Sequence, residues 1–242
     1  MPDIYVIGYP KTGTTWLCRL LGDYLNSPAG NIYKPSSPGG IAAEGADRPG
    51  KYYIGHGHPV PIHEGHDEPV SKTFVRINVD ALTTEKIVLM GRDPRDVAVS
   101  AMHYWKMGLD DVIDCMATGR WPLSHGKGWN RFYYQWYKSF SVKPFIIMSY
   151  EALLNDTNDR LRWLLFSMGI EVDDRRVDEA VLRQSFDERK RWTEKSGDEL
   201  NYGKEFQLRF LRSGKAGVWQ DHFNVEQEEV AKEFIWWRRW TF

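Results

Sequence analysis

Residues 4–25, IYVIGYPKTGTTWLCRLLGDYL, decide how the chain folds. Tyr5-Val6-Ile7 is a short apolar run of the kind that forms a buried strand, and Gly8 and Gly13 bound the loop after it. Beyond the loop, Trp16, Leu17, Leu20, Leu21 and Tyr24 recur every three or four residues, the period of a helix with one apolar face. A strand, a tight loop and a helix in succession aim the loop N–H groups and the positive end of the helix macrodipole at one point. Lys11 adds a full positive charge there, so the unit reads as an anion site.

The spacing narrows the kind of anion site. An ATP-binding loop reads G-x-x-x-x-G-K-[ST], with lysine directly after the second glycine. Here Gly8 and Gly13 keep the interval and Thr15 keeps the hydroxyl, but Thr14 stands in the lysine position and Lys11 precedes Gly13 by two residues. The loop is phosphate-loop-like without being an ATPase loop, and its bland alternative is a Gly-rich turn with no chemistry.

Outward from this unit the pattern repeats. Ile87-Val88-Leu89-Met90 reads as a second apolar strand, followed at once by GRDPRDVAVSAMHYW. Asp93 suits an N-cap, Pro94 the first helical position and Asp96 the first turn, with Ala98, Ala101, Met102 and Trp105 as the buried stripe. Phe145-Ile146-Ile147-Met148 reads as a third strand, ending in Ser149-Tyr150-Glu151, and 155–168 as an amphipathic helix closed by Gly169. Strands alternating with helices predict an α/β fold, a single domain over 1–242 with a mainly parallel sheet flanked by helices. Ligands of such sheets bind outside the carboxyl ends of the strands.

The remaining segments are less regular. Residues 26–50 are rich in Pro, Gly and Ser and read as an insertion or lid. Lys51–Ile54 reads as a short strand leading into GHGHPVPIHEGHDE, which holds four of the seven histidines, and Lys72–Asn78 has strand character. Residues 108–128 read as irregular, whereas Trp129, Phe132, Tyr133, Trp136 and Tyr137 recur as a core-facing helix. A charged helix is expected over 174–184, then a polar stretch, then Arg212-Ser213-Gly214-Lys215-Ala216-Gly217, either a solvated turn or a phosphate clamp.

Composition sets outer bounds. Lys plus Arg total 32 against 33 for Asp plus Glu, so nothing in the net charge of −1 argues for nucleic acid or an acidic membrane surface. Two cysteines, Cys18 and Cys115, are too few for a disulfide framework. With no apolar run near the roughly twenty residues needed to cross a bilayer, a soluble, cytoplasmic protein is expected.

Three blocks together resemble the sulfotransferases that use 3′-phosphoadenosine 5′-phosphosulfate (PAPS). GYPKTGTTW resembles their 5′-phosphosulfate loop, GRDPRDVAVS their 3′-phosphate block R-[ND]-P-[RK]-D-x-x-x-S, and RSGKAGVWQDHF their R-K-G-x-x-G-x-W segment. SYEALLND and Ser185-Phe186 match further family positions. The resemblance implies that Lys11, Thr12, Gly13, Thr14 and Thr15 hold the phosphosulfate, with Trp16 stacking on adenine. It also implies that Arg92 and Ser100 bind the 3′-phosphate, that Tyr150 and Phe186 lie near adenine, and that Arg212, Ser213 and Gly214 close over the 3′-phosphate. Ser213 stands where the family usually carries a second basic residue.

Sulfuryl transfer, like phosphoryl transfer, is an in-line displacement through a loose transition state whose charge spreads onto peripheral and leaving oxygens. Lys11 would stabilise the departing phosphate, and a histidine suits removal of the acceptor proton near neutral pH. The family places this histidine just after a short strand, in K-x-H-x-P; here YYI leads to Gly55-His56-Gly57-His58-Pro59, one residue longer. Counting from the strand selects His56 as the base, with His58 shaping the turn or touching the acceptor. A metal site built from His56, His58, His63, His66, Glu64, Asp67 and Glu68 is the rival reading, but the intervals match no standard zinc pattern, and no metal is expected. The rival functions are a nucleotide kinase and a non-catalytic nucleotide-binding module. The segments 32–70 and 103–128, which are expected to border the acceptor, carry many His, Asp and Glu residues and few large aliphatics, so the acceptor is expected to be a small polar molecule such as a cationic natural product, bearing a hydroxyl or amine.

Overall fold

The computed structural model describes residues 3–27, 29–31, 52–62, 76–80, 82–120, 128–196, 208–209 and 211–232. Seven strands are described: β1 (Ile4–Gly8), β2 (Ala29–Asn31), β3 (Ile54–Gly57), β4 (Val60–Ile62), β5 (Arg76–Asn78), β6 (Lys86–Gly91) and β7 (Ile146–Ser149). Five of them form one sheet in the order β2-β3-β1-β6-β7, and β4 and β5 form a separate pair. Every pairing is parallel. The carboxyl ends of β3, β1, β6 and β7 therefore open onto a single edge, with β1 at the centre.

Helices cover both faces, and the pleat of β1 sorts its side chains between them. Ile4 and Val6 join a cluster with Val88 and Met90, against Leu17, Leu20 and Leu21 of α1 (Thr14–Tyr24) and Leu161, Leu164 and Leu165 of α6 (Thr157–Ser167). Tyr5 and Ile7 point the other way, with Ile87 and Leu89, onto Val97, Ala98 and Ala101 of α2 (Pro94–Trp105) and Trp129, Phe132, Tyr133 and Trp136 of α4 (Trp129–Ser139). Each fully buried side chain of the size of Leu17 contributes roughly 1.5–3 kcal/mol by leaving water. The aromatic helix thus belongs to the core, as its spacing predicts. Its polar tips are also accommodated: Tyr133 donates to the Met90 carbonyl at 2.8 Å and Trp136 Nε1 to that of Pro59 at 3.1 Å.

Four expectations need correction. Within the presumed insertion, Ala29–Asn31 is the edge strand β2, paired with β3. The strand expected over Lys51–Ile54 instead runs Ile54–Gly57, because parallel pairing with both β1 and β2 continues through His56. Leu109–Thr118, expected to be irregular, forms α3, which buries Val112, Ile113, Cys115 and Met116 and ends at Gly119 in the left-handed region, φ 80°. The first part of the polar stretch after α7 (Asp174–Arg183) belongs to α8 (Phe186–Ser196), which buries Arg189 and Thr193 beneath its charged surface; the rest of the stretch lies outside the described residues. Two short helices complete the described elements, α5 (Tyr150–Asn155) and α9 (Val225–Lys232), with a 3-10 turn over Val218–Asp221 between α8 and α9.

Candidate active site

The loop between β1 and α1 is shaped by backbone requirements that its sequence meets. Thr12, fully buried, donates its hydroxyl to the Tyr9 carbonyl at 2.7 Å, closing the turn. Its backbone N–H donates to the same carbonyl at 3.3 Å, so Thr12 helps to shape the loop. Gly13 adopts φ 94°, and a Cβ there would lie 2.7 Å from the Tyr150 ring, so only glycine fits without moving the ring. As N-cap of α1, Gly13 provides no side chain to cap the helix, and the first turn has no acidic residue. The N–H groups at the start of α1 therefore face the loop with the helix dipole behind them, as an anion site requires.

Lys11, also left-handed at φ 72°, points its ammonium over the ring of Tyr104, 3.8 Å from the centroid. The residue as a whole keeps partial exposure, but its ammonium end is enclosed, and the local enclosure governs its charge. Burial first, and the Arg92 guanidinium second, pull its pKa from 10.5 to about 7.

Arg92 follows β6 and is 7% exposed. Its guanidinium stacks on Tyr150 at 4.1 Å and donates to two carbonyls, those of Lys11 and Lys215, each at 3.2 Å. Its buried Nε has no hydrogen-bond partner among the described residues. A buried unsatisfied donor on a cation is costly, and an incoming anion would satisfy it. Behind Arg92, Asp93 caps α2 by accepting from Arg95 N and is clasped by the Arg95 guanidinium at 2.8 and 3.0 Å. Glu151 accepts from Asp93 N at 2.7 Å, joining this corner to the end of β7. Ser100 lies two turns further along α2, partly exposed.

The arginine loop, residues 211–217, comes from the far end of the chain. Asp96, with no exposed surface, accepts from Gly217 N at 2.6 Å and from Trp219 N at 3.0 Å. Trp219 in turn lies under the Arg95 guanidinium, 3.5 Å from its ring centroid. Gly214, at φ 62°, packs so closely on Phe186 that a Cβ would come within 2.5 Å of the ring. The segment is therefore a docked loop. Burial, then Arg92, lower the pKa of Arg212, while Asp96 opposes them. Three cations, Lys11, Arg92 and Arg212, thus converge around one cleft edge.

Aromatic walls flank it. Trp16 and Tyr150 meet edge to face at 5.7 Å, and Trp16 Nε1 donates to the Gln184 carbonyl at 3.1 Å, just ahead of Phe186. Burial raises the Tyr150 pKa, with Arg92 opposing, so the phenol stays protonated.

Of the two histidines, His56 lies within β3, in register with Val6 and Asn31. His58 follows the strand, and its Nδ1 lies 2.7 Å from the carbonyl oxygen of Gly8, the last residue of β1. A carbonyl only accepts, so Nδ1 carries the hydrogen and the lone pair of the neutral ring sits on Nε2. His63, Glu64, His66, Asp67 and Glu68 lie outside the described residues. Ser213 is half-buried in the docked loop.

Sequence reasoning treated Asp96 only as a first-turn acid and did not single out Tyr104. Both were within reach: Asp96, Ser100 and Tyr104 recur at four-residue intervals and so share one face of α2. Among the described residues no helix is long and apolar enough to cross a membrane.

Known proteins match the chain at several levels. Residues 76–236 match the family model described as a sulfotransferase domain. Sulfotransferase 1A1 of Bos taurus is 24% identical over 253 residues, covering 94% of this chain and 80% of that protein. Sulfotransferase 2B1 of Mus musculus is 26% identical over 252 residues, covering 94% and 68%. Among solved structures, mouse sulfotransferase SULT7A1 complexed with PAP superposes with a TM-score of 0.67 at 22% identity, covering 97% of this chain and 83% of that one. Retinol dehydratase in complex with androsterone and inactive cofactor PAP gives 0.63 at 16% identity, covering 97% and 80%. These two likenesses concern the fold alone. The family match spans well over half of the chain, which is an enzyme chain of the sulfotransferase family.

Proposed function

We propose that residues 1–242 act as one sulfotransferase domain that moves the sulfuryl group of PAPS to a hydroxyl or amine of a small polar acceptor. The observation that carries this reading is the pair of anion-binding corners at one sheet edge. One comprises Lys11 and the uncapped start of α1, the other Arg92 and Arg212, and Arg92 is tied to both loops. A nucleotide phosphorylated at both the 5′ and 3′ positions is the ligand that needs two such corners. Trp16, Tyr150 and Phe186 would flank its adenine.

PAPS supplies an activated sulfuryl group on a phosphate leaving group. The acceptor oxygen or nitrogen forms the new bond to sulfur as the bond from sulfur to the bridging oxygen breaks, and the electron pair leaves with the 5′-phosphate. Lys11 and the α1 N–H groups stabilise that charge. The acceptor proton goes to a histidine, and here the reading moves from His56 to His58. What supports His58 is its position after the observed end of β3 and a tautomer that leaves Nε2 as the basic nitrogen.

Transfer of labelled sulfate from PAPS, alongside binding of 3′,5′-bisphosphoadenosine (PAP) and ATP, tests the proposal. Transfer with PAP bound in preference to ATP is expected. Preference for ATP would return the kinase reading, and PAP binding without transfer the non-catalytic module. An acceptor panel of amino- and guanidinium-bearing alcohols beside simple phenols tests the acceptor class; preference for apolar phenols would overturn it.

A further inference from the structure

Lys11 is positioned at both ends. Its backbone is held in the left-handed region, uncommon for a residue with a side chain, and its carbonyl accepts from Arg92 at 3.2 Å. Its tip lies 3.8 Å from the ring centroid of Tyr104, which reaches it from the last turn of α2, a different element. Ser100 and Tyr104 are one turn apart, so the helix face that carries Ser100 also carries this ring.

The choice of an aromatic partner has a chemical reason. An enclosed ammonium loses hydration, and an aromatic face returns part of that loss through its quadrupole, more strongly where water is excluded. A carboxylate would hold the amine more firmly, but it would also cancel the charge that must act on a phosphate or sulfuryl oxygen. A ring face attracts the cation without neutralising it. We propose that Tyr104 is a positioning residue for Lys11, its ring face holding the ammonium at the transfer centre while leaving the positive charge available to the anion. This rests on the sulfuryl-transfer reading above.

Among the described residues, Arg92, from the end of β6, disfavours the Lys11 charge, and the Tyr104 ring, from α2, favours it. Removal of the ring therefore makes the amine harder to protonate. The test is a double-mutant cycle read by calorimetric PAP affinity in Lys11→Met, Tyr104→Leu and the double variant, with Tyr104→Phe as the conservative control. Tyr104→Leu is expected to weaken PAP roughly ten- to thirtyfold, whereas Tyr104→Phe keeps most of the affinity because the ring remains. In the Lys11→Met background, Tyr104→Leu is expected to add less than about twofold. Raising the pH should also weaken PAP from a lower pH in Tyr104→Leu than in the wild type, a displacement that a purely structural role would not produce. Should leucine fail to fold, Tyr104→Met removes the ring face while keeping bulk. Equal losses with and without Lys11, or a Tyr104→Phe variant as weak as Tyr104→Leu, would overturn the proposal. A wild-type protein that binds no PAP would instead overturn the reading beneath it.

Discussion

Lys11 must be charged to hold an anion, yet its enclosure favours the neutral amine, with a pKa of about 7 against 10.5 for an exposed lysine. The sign follows from linkage: below pH 7 the empty site already carries the proton, while above it binding must take one up. PAP affinity should thus decline as pH rises from about 7, by up to tenfold per unit, and in Lys11→Met the decline should vanish. Titration calorimetry at several pH values would decide, and a pH-independent wild type would refute the shift. The histidines make a second test at this scale. His58→Ala should lower single-turnover transfer about a hundred- to ten-thousandfold with PAP affinity retained, and His56→Ala should do markedly less. The reverse ranking would return the base to His56. Lys11 was legible in sequence because its displacement from the ATPase position is a local fact. The end of β3, which separates His56 within the strand from His58 after it, was not legible, since it is set by pairing with β1 and β2, strands remote in sequence.

Among the elements, α2 does most of the organising. Its first turn holds the arginine loop through the Asp96 carboxylate, whose two oxygens accept the N–H of Gly217, at the end of the loop, and that of Trp219, in the turn just after it. An asparagine would keep one acceptor and turn an NH2 group toward the other N–H. Asp96→Asn should therefore loosen the loop and weaken PAP roughly tenfold, while 5′-AMP, which lacks the 3′-phosphate, changes less than about twofold. Equal losses for both ligands would show that the loop does not serve the 3′ corner. The strand–loop–helix units at β1–α1 and β6–α2 were readable because caps, prolines and apolar period agree within a few residues. Helix α3 was missed although Leu109, Val112, Ile113 and Met116 keep helical spacing, because Asp110, Asp111 and Asp114 interrupt the run, and α8 was missed because seven of its eleven residues are charged, so its packing rather than an apolar stripe makes it helical.

For the whole molecule, the parallel α/β architecture follows from alternation in the sequence, but the order β2-β3-β1-β6-β7 does not, because strand neighbours are decided by long-range pairing. That order matters energetically. The site loops are stacked on the central strand and both core clusters, so a ligand that joins them should stabilise the entire fold. PAP at a hundredfold excess over its Kd should raise stability by about 2.7 kcal/mol, or roughly 5–10 °C in thermal midpoint for a chain of this size. A shift confined to local protection, with no change in midpoint, would show that the site loops open independently of the core.

The Arg92 guanidinium, bonded to the carbonyls of Lys11 and Lys215, acts as a crossbar of set length between loops that lie at opposite ends of the chain. A crossbar is also a ruler. With the two anion corners held at a preset separation, the cleft should measure the distance between the phosphates of a nucleotide, and a regioisomer of identical charge should fail that measurement. Adenosine 2′,5′-bisphosphate should accordingly bind more weakly than its 3′,5′ isomer, and Arg92→Ala should erase most of the difference, leaving a site that still attracts charge but no longer gauges its spacing.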